Sequence, residues 1–420
     1  MAIRILHTSD WHLGKKLSKV DRIFEQKLFL KWLLQTILEQ QIDYLIIAGD
    51  IFDSPGPPDS AVKVYFDFLE DLHKHTSCHA IIIAGNHDSG RFLDAPQEIL
   101  RSKRIHLWGQ LKNSPSQHSM ELCSSENPQE KVHLVALPYF RFYELFHLLG
   151  SDLLPLEQSE GLVLNLLEKF FEQTKSTSSE NYLGRILVTH HLFGNFELAG
   201  SEQALSLSSS DVTSIPPQLL KPFFDYVALG HIHKKQVVSK EEPVMIYCGS
   251  PIPMRFSETQ EKVVSLLTFA KDQQEKYSQS FLPIPCFRKL FSIHCHLDTW
   301  EYEIDKILRQ SDLTPYGLPA LLDISITIPA PTFGLSDKVR KKIEGSSLEL
   351  VFFSTPLNTI EKEDLNLSSA HLNLSPLELF EKYYALSYPE NPQIPVQIKD
   401  DFLELLQKSQ SDETPASDTL

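Results

Sequence analysis

Histidine, aspartate and asparagine residues are concentrated in five short clusters along this chain. The clusters are Asp10-Trp11-His12, Gly49-Asp50, Gly85-Asn86-His87-Asp88, His190-His191 and Gly230-His231-Ile232-His233. Carboxylate and amide oxygens combined with imidazole nitrogens form mixed ligand sets that suit Mn²⁺, Fe²⁺, Co²⁺ or Zn²⁺. No cysteine lies in any of the five clusters. The clusters therefore predict a metal-dependent site without thiolate ligands.

The number of candidate ligands indicates two metal ions. The clusters offer about eight side chains, and one ion takes roughly four to six ligands. Asp50 lies between the other clusters in chain order, so it is the candidate for a bridging carboxylate. Two ions about 3.5–4 Å apart would hold a hydroxide and clamp a phosphoryl group during in-line displacement. The sequence thus predicts the hydrolysis of a phosphate ester.

Six segments of the sequence indicate strands. Residues 2–8 alternate in polarity, and residues 43–48, 79–84, 132–137, 185–189 and 226–229 are apolar runs typical of buried strands. Helical spacing of apolar residues at 21–41 and 59–74 alternates with them, which predicts an α/β architecture. Ligands of such folds bind beyond the carboxyl ends of the strands. The clusters lie at these ends, and this placement supports a common site.

Two local expectations concern the backbone of the clusters. Gly49, Gly85 and Gly230 each precede a candidate ligand, so they are predicted to allow sharp turns that aim the next side chain inward. An extended backbone would place both members of an Asp-x-His or His-x-His pair on one face. We therefore expect extended backbone at residues 10–12 and 231–233.

Composition and patterning beyond the clusters predict four regions. Residues 1–275 form the first domain, 276–360 a small α/β unit, 361–410 short helices broken by prolines, and 411–420 a disordered tail. No apolar run approaches the roughly 20 residues of a membrane helix, and the N-terminus does not resemble a signal peptide. The five cysteines fit neither a zinc ribbon nor a disulfide framework. We expect a cytoplasmic protein without a membrane partner.

Several motifs resemble those of a known family. Thr8-Ser-Asp-Trp-His-Leu-Gly14, Gly49-Asp-Ile-Phe52, Gly85-Asn-His-Asp88 and Gly230-His-Ile-His233 are similar to the calcineurin-like metallophosphoesterase signature. Together with Ala228–His233 and Gly249-Ser-Pro-Ile252, they resemble the SbcD-type nuclease subunits of bacteria. The resemblance implies an α/β fold with a metallophosphoesterase-type β-sandwich flanked by helices. A small α/β capping and DNA-recognition domain and C-terminal helices would follow it.

The resemblance also implies a role for each matching residue. The first metal ion would be bound by Asp10, His12, Asp50 and His233. The second would be bound by Asp50, Asn86, His191 and His231, with His190 as the alternative to His191. His87 would be catalytic, stabilising charge and protonating the leaving oxygen. Asp88 would either orient His87 or cap the following turn, and Asp53, where some relatives carry a histidine, is expected to be structural.

The implied activity is that of a Mn²⁺-dependent DNA nuclease. It would be an exonuclease on double-stranded ends and an endonuclease on single-stranded or hairpin DNA, acting in DNA repair, recombination and replication. An SMC-like ATPase subunit of the SbcC type would bind through residues 361–410, with this chain a homodimer within a heterotetramer. The alternatives are a phosphodiesterase for a small nucleotide or phosphodiester, and a scaffold whose metal site is vestigial.

Basic residues beside the motifs are candidates for contact with DNA phosphates. They are Lys15, Lys16, Lys19, Arg22, Arg91, Lys234, Lys235 and Arg255. The net charge of −16 does not exclude this, because half of it lies in residues 361–420, which hold 12 acidic and 4 basic residues. We therefore expect weak, salt-sensitive affinity of this protein alone for DNA.

Overall fold

The structure is a computed structural model. It describes residues 2–124, 127–149, 160–174, 182–193, 215–271, 276–310, 314–330 and 332–357, together with nine individual residues between 377 and 402. The chain divides into two compact units, Met1–Leu357 and Asn358–Leu420. Among the described residues, no helix has the length and apolar character needed to cross a bilayer.

The first unit contains seventeen strands and eight α-helices in its described residues. The strands are β1 (Ala2–Thr8), β2 (Lys16–Leu17), β3 (Val20–Asp21), β4 (Tyr44–Ala48), β5 (His79–Ile83), β6 (Ile105–Trp108), β7 (Ser119–Cys123), β8 (Lys131–Leu137), β9 (Gly184–Thr189), β10 (Tyr226–Leu229), β11 (Gln236–Ser239), β12 (Val244–Tyr247), β13 (Val263–Ala270), β14 (Tyr277–Pro283), β15 (Leu290–His296), β16 (Ala320–Thr327) and β17 (Leu348–Ser354). The helices are α1 (Ile23–Glu39), α2 (Asp59–His75), α3 (Gly90–Asp94), α4 (Gln97–Arg101), α5 (Phe142–Leu148), α6 (Glu160–Thr174), α7 (Trp300–Leu308) and α8 (Leu335–Ile343).

Two six-stranded sheets form the centre of the first unit. The first has the order β14-β13-β1-β4-β5-β6, and the second has the order β11-β12-β10-β9-β8-β7. Strands β1, β4, β5 and β6 are parallel to one another, as are β8, β9, β10 and β12, while the remaining strands add antiparallel edges. Parallel order makes the carboxyl ends of neighbouring strands meet at one edge of each sheet.

Three apolar layers hold the sheets and helices together. The inner faces of both sheets pack on each other through residues such as Ile46 and Ile81 from the first sheet and Val188 from the second. The outer face of the first sheet is covered by α1 and α2, and that of the second by α5 and α6. Because both faces are buried, the strands consist of continuous apolar runs, as predicted from the sequence. The expected β-sandwich flanked by helices is confirmed.

A smaller α/β unit follows the sandwich. Strands β15, β16 and β17 form a parallel sheet in that order, and α7 and α8 cover one of its faces with a separate apolar core. Leu321 of this sheet packs with Leu17 and Phe256 of the sandwich. Strand β14 still belongs to the first sheet, so that sheet continues to Pro283, past the expected boundary at residue 275. The full set of domain ranges stays a prediction.

The second unit is described at individual residues only. Phe380 and Phe402 lie in helical positions and stack with their ring centroids 4.0 Å apart. Glu381 forms an ion pair with Lys399 over 2.6 Å. Most of the expected partner-binding segment 361–410, and all of the expected tail 411–420, lie outside the described residues.

Candidate metal centre

The five clusters converge at one end of the sandwich. Asp10, Asp50 and Asn86 follow β1, β4 and β5, which are neighbours in the first sheet. His190 and His231 follow β9 and β10, which are neighbours in the second. The two sheets present these strand ends to each other, so side chains up to 223 residues apart in sequence share one site.

The first group of candidate ligands is Asp10, His12 and His233. Their ligand atoms all lie within 4.8 Å of one another, and all three residues are buried. The Nε2 atoms of His12 and His233 are 3.0 Å apart, and Nε2 of His12 lies 3.4 Å from Oδ2 of Asp50. Two imidazole nitrogens and two carboxylates therefore surround one point, as a transition-metal ion requires.

The second group adds Asp50, Asn86, His190 and His231. Nε2 of His190 lies 3.3 Å from Oδ2 of Asp50 and 3.1 Å from Oδ1 of Asn86. Nδ1 of His231 lies 2.9 Å from the same Asn86 oxygen. Oδ2 of Asp50 thus lies within 3.4 Å of both His12 and His190, where a carboxylate could bridge two ions.

The geometry corrects the choice between the two histidines of the doublet. His190, and not His191, points toward Asp50. Nδ1 of His190 lies 2.7 Å from the carbonyl oxygen of Ala48, to which it donates, so the lone pair of Nε2 is left for a metal ion.

His191 lies on the opposite side of its strand. Its Nε2 accepts a 3.4 Å hydrogen bond from the N–H of Phe140, and its ring stacks on Tyr139. The physical reason is alternation along β9, because Ile186 and Val188 face the other sheet while Leu187 faces the helix layer. His190 continues the inward row, and His191 continues the outward one.

Close approach explains two of the three glycines. A Cβ atom on Gly230 would stand 2.6 Å from Nδ1 of His190, and one on Gly85 would overlap the carboxylate of Asp50. Of these three glycines, Gly49 alone combines the crowding with a positive φ, 87°. The expectation of a sharp turn that only glycine permits therefore holds at Gly49, whereas Gly85 and Gly230 make room for ligands.

The candidate ligands themselves adopt an unusual backbone conformation. Four of the seven non-glycine residues with positive φ in the described chain are Asp10, His12, Asp50 and His231, at 53°, 44°, 50° and 98°. The expectation of extended backbone at Asp10, His12 and His231 is wrong, because all three have positive φ. Such conformations cost about 1–3 kcal/mol each and concentrate at functional sites.

The charges of the centre fit divalent cations. Asp10 and Asp50 are fully buried, and burial raises the pKa of Asp10 to about 6. Burial alone would lower the pKa of His190, but the Asp50 and Asp10 carboxylates and the Ala48 carbonyl together outweigh burial and raise this pKa to about 9. Buried carboxylates need compensating positive charge. The oxygen and imidazole donors gathered here would hold divalent ions that supply it.

His87 is placed beside the two ligand groups. Its N–H donates to Oδ1 of Asp50 over 2.9 Å, and its Nδ1 donates to the carbonyl oxygen of Asp53 over 2.9 Å. The second bond fixes the tautomer, which leaves Nε2 for contact with a substrate. The Asp53 carboxylate itself lies 2.8 Å from Nζ of Lys15 and 3.3 Å from Nδ1 of His12.

Asp88 shapes the turn rather than orienting His87. Its carboxylate accepts hydrogen bonds from the N–H groups of Ile51, Phe52 and Gly85, at 3.1, 2.9 and 2.8 Å. Burial, with a smaller contribution from Asp50, raises the pKa of Asp88 to about 7. These donors lie before Asp88 in the chain, and Ser89 caps the following turn by accepting from the N–H of Phe92, so neither of the two roles considered for Asp88 is supported.

Gln26 supports the centre, although the sequence reasoning does not single it out. This buried residue donates from Nε2 to the carbonyl oxygen of His12 over 2.8 Å, and its Oε1 accepts from the N–H of Gly14 over 3.0 Å. Its side chain therefore fixes the turn that carries His12. The available signal was a polar residue three positions before the core residue Phe29, on the buried face of α1.

The basic residues beside the motifs do not share one environment. Lys16, Lys19, Arg91 and Arg255 are exposed, while Lys15, Lys234 and Lys235 are half-buried. Arg22 is only 1% exposed, so the expectation that it contacts DNA is wrong.

Arg22 is held by structural partners. It pairs with Glu25, which also lies 3.5 Å from Arg288, and it donates to the carbonyl oxygen of Pro253. It therefore joins α1 to the loop after Gly249.

We predict that Arg22→Ala destabilises the fold. The substitution leaves the buried Glu25 with one weak partner, and breaking a buried ion pair costs about 3–5 kcal/mol. Urea unfolding measures this loss, and Lys19→Ala, an exposed neighbour, is the matched control with an expected change within about 0.5 kcal/mol. Equal stability of both variants would contradict the structural role.

Comparisons with known proteins agree with the geometry. Residues 3–235, which include all five clusters, match the family described as calcineurin-like phosphoesterase. The SbcD subunit of the nuclease SbcCD from Escherichia coli strain K12 is 29% identical over 358 residues, covering 83% of this chain and 84% of that protein. The SbcD subunits of Rhodobacter capsulatus and Bacillus subtilis are 30% and 28% identical, covering 68% and 67% of this chain and 71% and 69% of theirs.

Proposed function

The chain belongs to the calcineurin-like phosphoesterase family and, within it, to the SbcD nuclease subunits, and from this premise we propose that it is a two-metal nuclease that hydrolyses DNA phosphodiesters. Its family membership supports a metal-dependent nuclease or phosphoesterase. We further propose Mn²⁺ as the metal and DNA as the substrate. We also propose exonuclease action on double-stranded ends and endonuclease action on single-stranded or hairpin DNA.

One observation carries the proposal. Oδ2 of Asp50 lies 3.4 Å from Nε2 of His12 and 3.3 Å from Nε2 of His190, so one buried carboxylate connects two groups of ligands. We propose one ion among Asp10, His12, Asp50 and His233, and a second among Asp50, Asn86, His190 and His231. Two such ions, when bound, activate water and neutralise charge on a phosphoryl group.

The remaining side chains would handle protons and substrate. His87 would donate a proton from Nε2 to the leaving oxygen in its imidazolium form, since Nδ1 keeps its own proton in the hydrogen bond to the carbonyl of Asp53. Lys15 is kept in place by the Asp53 carboxylate at 2.8 Å. From there it would contact a phosphate of the bound strand without reading its sequence. The exposed Lys16, Lys19, Arg91 and Arg255 would extend this contact, together with Lys234 and Lys235.

The additional α/β unit and a lysine beside the first cluster support a macromolecular substrate. The small α/β unit of β15–β17 packs beside the β2–β3 hairpin, which carries Lys16 next to the first cluster. An enzyme for a small diester needs neither this unit nor the chain beyond it.

We propose that residues 361–410 bind an SMC-like ATPase subunit of the SbcC type, and that two copies of this chain form the centre of a heterotetramer.

A substrate comparison tests this function. Full-length protein with Mn²⁺ is offered a hairpin DNA, a blunt duplex and bis(p-nitrophenyl) phosphate, each with and without the ATPase subunit. We expect chelator-sensitive cleavage of both DNA substrates, with the duplex depending more on the ATPase. Rapid hydrolysis of the small diester with both DNA molecules intact would favour the small-substrate alternative. No hydrolysis of any substrate would favour the vestigial scaffold.

A further inference from the structure

A buried lysine contacts the backbone of the candidate ligand His233. Lys262 precedes β13 and is 8% exposed. Its ammonium group donates to the carbonyl oxygen of His233 over 3.2 Å, to Oγ of Ser250 over 2.9 Å and to Oε2 of Glu258 over 2.6 Å. An ammonium has three N–H donors. These three acceptors match them, so the group is fixed in one geometry.

The Gly249-Ser250 turn contacts the same carbonyl. The N–H of Ser250 donates to the carbonyl oxygen of His233 over 3.2 Å. Gly249 has φ of 80°, and a Cβ atom there would stand 2.5 Å from this oxygen. The turn thus approaches His233 as closely as an unsubstituted backbone permits. The motif at 249–252 takes no part in the proposed hydrolysis, and this contact gives it a structural role in holding the backbone of His233.

A contribution to fold stability does not explain why Lys262 is buried. Its partner Glu258 is 4% exposed, and burying an ion pair stabilises a fold little or not at all compared with apolar side chains of similar size. A hydrogen-bonded group behind a metal ligand, however, orients that ligand and changes metal affinity about 10–100-fold. Lys262 is such a group, because its ammonium donates a hydrogen bond to the backbone carbonyl of the candidate ligand His233.

We infer that Lys262, held by Glu258 and Ser250, is a positioning residue that fixes His233 for binding of the first metal ion. It acts through the backbone of residue 233 and does not touch metal or substrate. The inference rests on the proposed function, since it takes His233 as a ligand. It assigns a role to Lys262, Glu258 and Ser250 within that metal centre.

Titration of the metal-free full-length protein with Mn²⁺, followed by calorimetry, tests the inference. The main variant is Glu258→Gln combined with Lys262→Met, because this pair removes both charges of the buried ion pair. We expect two sites in the unsubstituted protein. In the double variant, one site should weaken about 10–100-fold while the other keeps its affinity. Lys276→Met, which removes a half-exposed lysine paired with Asp225, is the matched control and should change neither site.

Two further measurements make the test decisive. Ser250→Ala removes a single neutral acceptor and should weaken the same site to a smaller extent, which keeps the inference testable if the double variant fails to fold. A lower melting temperature with both Mn²⁺ affinities unchanged would show a merely structural role and overturn the inference. If the unsubstituted protein binds no Mn²⁺, the proposed function fails, and the inference fails with it.

Discussion

Replacing Asp50 by alanine is expected to reduce nuclease activity at least about a thousandfold and to eliminate high-affinity Mn²⁺ binding at both sites. Asp50 contacts both groups of candidate ligands, at 3.4 Å to His12 and 3.3 Å to His190, whereas Asp10 lies 4.0 Å from His190. The ions supply several kcal/mol of transition-state stabilisation, and each 1.4 kcal/mol corresponds to about a factor of ten in rate. Hairpin cleavage and Mn²⁺ titration measure the two effects.

Asp67→Ala is the matched control for Asp50→Ala. Asp67 is exposed on α2, where its carboxylate forms a 3.0 Å ion pair with Lys63. We expect this variant to bind two Mn²⁺ ions with unchanged affinity and to keep its cleavage activity. An Asp50→Ala protein that still binds two ions would contradict the bridging role.

Replacing His87 by alanine is expected to lower turnover about 10²–10⁴-fold while both metal sites remain intact. The imidazole belongs to neither ligand group, and its Nδ1 is occupied by the carbonyl of Asp53. Its loss removes a proton donor, whereas the hydrogen bond to Asp50 comes from the backbone N–H and survives the substitution. Single-turnover cleavage of a hairpin DNA at saturating Mn²⁺ measures the effect.

A histidine far from the centre controls for general damage in the His87 experiment. His75 is exposed at the end of α2, and His75→Ala should leave turnover unchanged. Full activity of His87→Ala would show that another group protonates the leaving oxygen. Loss of one Mn²⁺ ion in His87→Ala would instead show that His87 is a ligand.

The sequence predicts the position of the centre well because strand ends are local features. Each cluster begins where a strand-forming segment ends, and the parallel order of β1, β4 and β5 then brings three clusters together. The sequence does not predict equally well which face of a strand a residue occupies. Both faces of β9 are buried, so its apolar run carries no alternation that separates His190 from His191. Only the packing of the two sheets reveals which face looks toward Asp50.

Long-range packing also explains the error at Arg22. A basic residue shortly after a ligand cluster resembles a phosphate contact in the sequence. Its burial depends on Pro253, which is 231 positions away, and on Glu25, which is also close to Arg288. The same holds for Lys262, whose contact with His233 arises only when β13 joins β1 in the first sheet. Neither environment leaves a local signal in composition or spacing.

Anomalous diffraction at the manganese edge, from crystals of the full chain grown with Mn²⁺, tests the two-metal centre most directly. We predict two anomalous peaks on either side of Asp50, roughly 3.5–4 Å apart. Nε2 atoms of His12 and His233 should contact one peak, and that of His190 the other. A single peak, a peak ligated by His191, or no peak among these side chains would contradict the assignment of a two-metal centre.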